Sequence, residues 1–137
     1  MLEKKIRYTL GKEERLKSRK AIDQLFKEGK SFSIFPFRIV WKYQPMQAAP
    51  LRAGFTVSTK HFKKAVDRNR IRRLMKEAYR LQKNTLKKTL EINNKPTAIF
   101  IIYVGKEIPE YALVTEKIIA VVERLQKITN ENSTANS

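Results

Sequence analysis

The stretch AVDRNRIRRLMKEAYR, residues 65–80, places six Arg or Lys in sixteen positions against only two acids. Read as a helix turning 100° per residue from Ile71, it puts Leu74, Met75, Ala78, Leu81 and Gln82 between about 280° and 40°. Asn69, Arg72, Arg73, Lys76, Arg80 and Lys83 fall between about 100° and 200°, on the opposite side, with Arg68 and Arg70 flanking the apolar stripe. The pairs Arg72–Lys76 and Lys76–Arg80 are like-charged at i,i+4, a mildly destabilising spacing. A merely solvated helix face mixes signs. One that keeps like charges together is built to meet a polyanion, and arginine suits both bidentate phosphate contact and stacking on bases.

The rest of the chain sharpens that chemistry. It has 137 residues, 42% hydrophobic, enough for one domain with a real core. Of a net charge of +17, residues 60–88 alone contribute +10, whereas residues 89–137 are slightly acidic. Basicity this concentrated marks a binding surface rather than a solubility device, with nucleic acid the leading partner. An anionic membrane is a weaker candidate, because the apolar face lacks protruding Trp and Phe that would insert. There is no Cys, which excludes disulfides, thiolate metal sites and a cysteine nucleophile. His61 is the only histidine, Asp23 and Asp67 the only aspartates, and no Gly-rich phosphate loop is present. No catalytic or metal-binding protein residue is therefore expected, and the chain reads as a binding subunit. No secretory signal or membrane-length apolar run is visible, so a soluble cytoplasmic protein is expected.

Elements that position the basic helix follow from periodicity. Ser18 is placed to cap a helix ending before Gly29, with Ala21, Ile22, Leu25 and Phe26 as its stripe. FPFRIVWKY at 35–43 and LRAGFTVS at 51–58 alternate as strands and are expected to pair antiparallel. Pro36 suits a strand start or edge, and Gly54 leaves room for a close approach. The basic helix is expected over 66–83, possible for another turn or two into a polar connection. TAIFIIYV at 97–104 lacks polar alternation and suits a strand covered on both faces. Pro109 marks the first turn of a last helix, whose stripe is Ile118, Val121, Val122 and Leu125. Residues 1–8 read as an arm, 9–128 as the domain and 129–137 as a disordered polar tail. The helix lacks the turn and second helix of a helix-turn-helix, so single strands stacked on one or two free aromatics are the expected RNA mode.

The run LRAGFTVSTKHFKKAVDRNRIRRLMKEAYR, residues 51–80, resembles the signature of the bacterial ribonuclease P protein family, with Arg68-Asn69-Arg70 at its centre. KEERLKSRKAIDQLFKEGKSF at 12–32 and AIFIIYV also fit, so the likeness covers roughly residues 9–128. The resemblance implies an α+β, two-layer α/β sandwich in the order αβββαβα, like one ribosomal protein domain. Its small mixed sheet would carry a left-handed βαβ crossover, against the general rule, and a fourth strand at Lys30–Phe35. It implies the protein subunit of an endoribonuclease that removes the 5′ leader from precursor tRNA. The chemistry and its Mg²⁺ lie in the RNA subunit, with no cofactor on the protein and no obligatory protein partner. Carried over by motif, Arg68, Asn69, Arg70, Arg72, Arg73, Lys76 and Arg80 would contact the catalytic RNA. Ile22, Phe26, Arg52 and Lys60 would serve the leader cleft. Ile22 stands where the family often has an aromatic, and Thr59 where a second basic residue is usual. Six phosphate contacts would give a log–log salt slope of about −5, and replacing Arg68 and Arg72 by Ala is expected to lower it by about two without harming the fold. The rivals are a structural or ribosomal RNA binder and an autonomous nuclease.

Overall fold

The computed structural model describes residues 14–135, with side chains to residue 131; the expected arm at 1–8 and residues 136–137 lie outside that span. The order is α1 (Arg19–Glu28), β1 (Lys30–Ile34), β2 (Phe37–Tyr43), β3 (Leu51–Val57), α2 (Ala65–Ile92), β4 (Thr97–Tyr103) and α3 (Tyr111–Ala135). This is the expected α+β order αβββαβα, with the fourth strand where the resemblance placed it. Ser18 caps α1, its hydroxyl accepting from the Ala21 N–H at 3.3 Å. Gly29 closes α1 in an extended conformation, φ −74°. A Cβ there would lie 2.5 Å from the Leu25 carbonyl oxygen and 3.0 Å from that of Trp41, so close approach, not a left-handed turn, calls for glycine.

The four strands lie in the order β1-β2-β4-β3, with β4 antiparallel to β2 and parallel to β3. The expected β2–β3 pair does not form: β4 stands between them. Its apolar run is buried on both faces, and only a central position covers both faces and both edges. The 44–50 connection wraps the start of β4, Gln44 N–H donating to the Pro96 carbonyl at 2.6 Å and Thr97 N–H to that of Pro50 at 3.0 Å. Phe35 and Pro36 form the β1–β2 turn rather than opening a strand, consistent with a proline that has no N–H for the ladder.

Alternation gives the sheet two faces. Phe37, Ile39, Trp41, Leu51, Ala53, Phe55, Val57, Ile99, Ile101 and Tyr103 pack against α2 and α3 in one continuous core. On the other face Val40, Ala98 and Phe100 pack with Leu16 and Leu25, a smaller cluster roofed by α1. α2 continues past 83 to Ile92, slightly more than the further turn or two allowed for, because Leu86 and Leu90 extend its buried stripe. It ends at Asn94, φ 52°, with Lys95 N–H returning to the Leu90 carbonyl and Asn94 N–H to that of Glu91, a Schellman closure with asparagine in the left-handed place. Pro109 lies just ahead of α3, whose first bond runs from Val114 N–H to the Glu110 carbonyl. α3 continues through 129–135, assigned from the sequence to a disordered tail: Thr129 is buried with its hydroxyl donating to the Leu125 carbonyl, and Asn93 bonds Asn130.

Candidate nucleic-acid interface

The core-facing side of α2 is rotated from the expected one. Ile71, Met75 and Ala78 are buried as read, but Tyr79, Lys83, Leu86 and Leu90 share the stripe, while Leu81 is 43% exposed. Lys83, expected on the cationic face, is 1% exposed and ion-paired with Glu14, which also takes Lys87 at 3.1 Å. A buried lysine requires such a partner. The pair ties the start of the described chain to α2, and Leu16 N–H donates to the Ala53 carbonyl at 3.0 Å, fastening the same strap beside β3. Burial, aided by the nearby Glu14 charge, pushes the Tyr79 hydroxyl far above its ordinary value, so it stays neutral.

What remains outward on the first half of α2 is strongly cationic. Asn69, Arg70, Arg73 and Lys76 are exposed; Arg68, Arg72 and Arg80 are half-exposed. These seven do not stand alike. Arg68 turns back on the connection ahead of the helix, donating to the Phe62 and Lys63 carbonyls at 2.8 and 2.7 Å. Arg72 donates to the Asn69 side chain, and Arg80 to both oxygens of Glu77 at 3.1 and 2.6 Å. That bond holds the Glu77 carboxyl below its usual range and raises Arg80. Replacing Arg68 therefore removes a brace of the β3–α2 connection, which revises the expectation that the fold would be untouched. Arg70, Arg73 and Lys76 project with no bond to another described residue.

The second region lies on the α1 face of the sheet. Register sets three rows across it: Lys42–Ala98–Arg52, Val40–Phe100–Gly54 and Arg38–Ile102–Thr56. α1 rests on the middle row, through Leu25 and through Phe26, whose ring meets Phe100 edge-on at 5.3 Å between centroids. Gly54 makes this possible, since a Cβ there would lie 2.5 Å from the Phe100 ring. Phe26 remains 44% exposed, and Ile22 packs half-buried in the same cluster. Ile22 and Phe26 are thus brought together on one wall. Arg52 and Lys60 are not: Arg52 sits in the Ala98 row, while Lys60 follows the far end of β3, with its N–H on the Ser58 hydroxyl at 3.3 Å. Phe100, Ile102 and Arg38 were missed by sequence reasoning. The signal was available in the even positions of a strand apolar on both faces, whose second face had to meet something.

A cationic helix face and an apolar patch bearing an exposed aromatic are means of holding RNA, one by phosphates and the other by bases. Among the described residues, no three His, Cys, Asp or Glu side chains gather as a metal site, and no helix is long and apolar enough to cross a membrane.

Comparison with known proteins gives a consistent result. The family model for Ribonuclease P matches residues 10–126. A ribonuclease P protein component from Porphyromonas gingivalis is 37% identical over 108 residues, 78% of this chain and 79% of the relative. The solved RNase P protein of Thermotoga maritima superposes with a TM-score of 0.64 at 28% identity, covering 81% of this chain and 96% of that one. That of Staphylococcus aureus, at 23% identity, shares the fold with a TM-score of 0.58 over 84% and 94% of the two chains.

Proposed function

The chain belongs to the ribonuclease P protein family, and from that premise we propose that it is the RNA-binding subunit of the ribonucleoprotein that removes the 5′ leader from precursor tRNA. In this reading the exposed face of α2 docks on the catalytic RNA, with Arg70, Arg73 and Lys76 as direct phosphate contacts. Asn69, Arg72 and Arg80 act from within their bonded pairs, and Arg68 shapes the connection that presents the helix. The cleft between α1 and the sheet takes the single-stranded leader, with Phe26 supplying a stacking surface and Ile22 an apolar one. Arg52 and Lys60 serve its two ends. Mg²⁺ and the bond-breaking chemistry belong to the RNA; the protein strengthens substrate binding and lowers the Mg²⁺ demand by neutralising phosphates.

The observation that best supports this is the pairing of two RNA-suited surfaces on one small domain: cations outward on α2, an apolar floor under α1. A simple structural RNA binder needs only the first. The test is cleavage of a leader-bearing precursor tRNA by a bacterial ribonuclease P RNA at low Mg²⁺, with and without this protein. Cleavage at the mature 5′ end that needs both components is expected. Tight RNA binding without stimulation would move the function to a structural binder, and cleavage by the protein alone to an autonomous nuclease.

A further inference from the structure

The α1 face of the sheet carries three basic residues, and they differ in what holds them. Lys42 is ion-paired with Glu28 at the end of α1. Arg52, in the same row across Ala98, is half-buried and interacts with a neighbouring group. Arg38 stands near the start of β2, in the row with Ile102 and Thr56, its side chain exposed and without a hydrogen bond or ion pair to any described residue. This row is less covered than its neighbour: Ile102 and Thr56 are half-buried, whereas Val40 and Phe100, one row away, are buried beneath Leu25 and Phe26.

We propose that Arg38 grips a backbone phosphate of the single-stranded RNA leader whose bases lie on the surface formed by the exposed Phe26 and the half-buried Ile102. The inference rests on the leader reading of this cleft and adds a residue that the motif comparison did not assign. Apolar and aromatic floors hold bases with little regard to sequence or register. A charged fork beside the floor fixes where the strand lies. Arg38 is the basic side chain on this face left available for that role. It also lies at the end of the sheet where β3 passes through Ser58–Lys60 toward α2, so a strand held there leads toward the cationic helix.

The test uses the holoenzyme reconstituted with a bacterial ribonuclease P RNA. Affinity is measured for leader-bearing precursor tRNA and for leaderless mature tRNA, with wild type, Arg38→Gln and Arg38→Lys. Arg38→Gln is expected to weaken the leader-bearing substrate about fivefold and to reduce its log–log salt slope by about 0.7. The leaderless tRNA should be unaffected, and Arg38→Lys should keep the slope. A series of single uncharged methylphosphonates along the leader then locates the phosphate: at one position the wild type should lose about what Arg38→Gln loses, and the variant nothing more. Arg38 is exposed, so circular dichroism should show an unchanged fold. An unchanged leader advantage in Arg38→Gln, or an equal loss with leaderless tRNA, overturns the assignment of Arg38 alone. A wild-type holoenzyme with no leader advantage overturns the cleft reading itself, and the proposal with it.

Discussion

The two faces of the sheet are built from the same strands to opposite ends. On one, residues such as Phe37, Ile39, Ile99 and Ile101 vanish beneath two long helices, with Met75, Val114 and Ile118 also fully buried. On the other, one ten-residue helix covers part of the surface, Phe26 stays nearly half exposed and the Arg38–Ile102–Thr56 row is only partly covered. Apolar area removed from water scales with stability, so the first face holds the fold together. The second face is affordable only because of the first, and its incompleteness is what leaves room for a ligand.

Neighbouring residues on β4 test this most directly. Ile101 faces the helix layer, fully buried, and Ile102 the α1 side, half-buried. Ile101→Ala should cost about 2–5 kcal/mol of unfolding free energy, and Ile102→Ala about 1 kcal/mol. In holoenzyme assays Ile102→Ala should weaken leader-bearing substrate specifically. Equal costs in urea denaturation would erase the distinction between the faces.

Next in size is the strap that joins them. Glu14→Ala leaves Lys83 in the interior with its main charge partner gone, and should cost about 2–3 kcal/mol. Because the strap leads into α1, leader affinity should fall as well. The pair Glu14→Leu with Lys83→Met should recover most of the stability by removing both charges. A double variant no better than Glu14→Ala would mean that the strap is held by Leu16 and its backbone bond instead.

That buried pair also shows where sequence reasoning stopped. Period and charge located every helix, the β2, β3 and β4 strands and the cationic face, because each depends on local pattern. Partner choice is not local: nothing within Phe37–Tyr43 or Leu51–Val57 says that β4 will come between them. The stripe of α2 was centred on Ile71 and Leu74, yet the helix turns Tyr79 against Phe55 of β3 and Lys83 toward Glu14, and Leu81 comes out. A lysine 69 residues from its glutamate looks like any surface cation until the fold brings the two together. Ile22 and Phe26 were legible from motif and helical spacing, whereas the floor beneath them needed strand register.

Within the cationic motif, the difference between bracing and binding can be read as a salt slope. Arg68→Ala removes two hydrogen bonds to backbone carbonyls and should cost about 1–2 kcal/mol of stability. Arg73→Ala with Lys76→Ala should change stability by less than about 0.5 kcal/mol and lower the slope for binding the catalytic RNA by about 2. If the Arg68 variant alone moves the slope and leaves the denaturation midpoint unchanged, its role is phosphate contact after all.

The last contrast between the faces is in pH. On the helix-covered face Tyr79 keeps its proton where an unfolded chain releases it near 10.0. The folded state then binds more protons than the unfolded one, so stability falls as pH rises past that value, by about 1.4 kcal/mol per unit. Tyr79→Phe should flatten that alkaline limb. On the α1 face the ion pair with Lys42 holds the exposed Glu28 below its ordinary 4.5. Its contribution is present above that value and is lost as pH falls through the lower folded one. Glu28→Gln should flatten the acid limb only slightly, because solvent screens an exposed pair. Denaturant midpoints measured against pH for the two variants should therefore part at opposite ends of the scale. An alkaline limb in Tyr79→Phe as steep as wild type would mean that water reaches that hydroxyl and that the covered face is less dry than its packing implies.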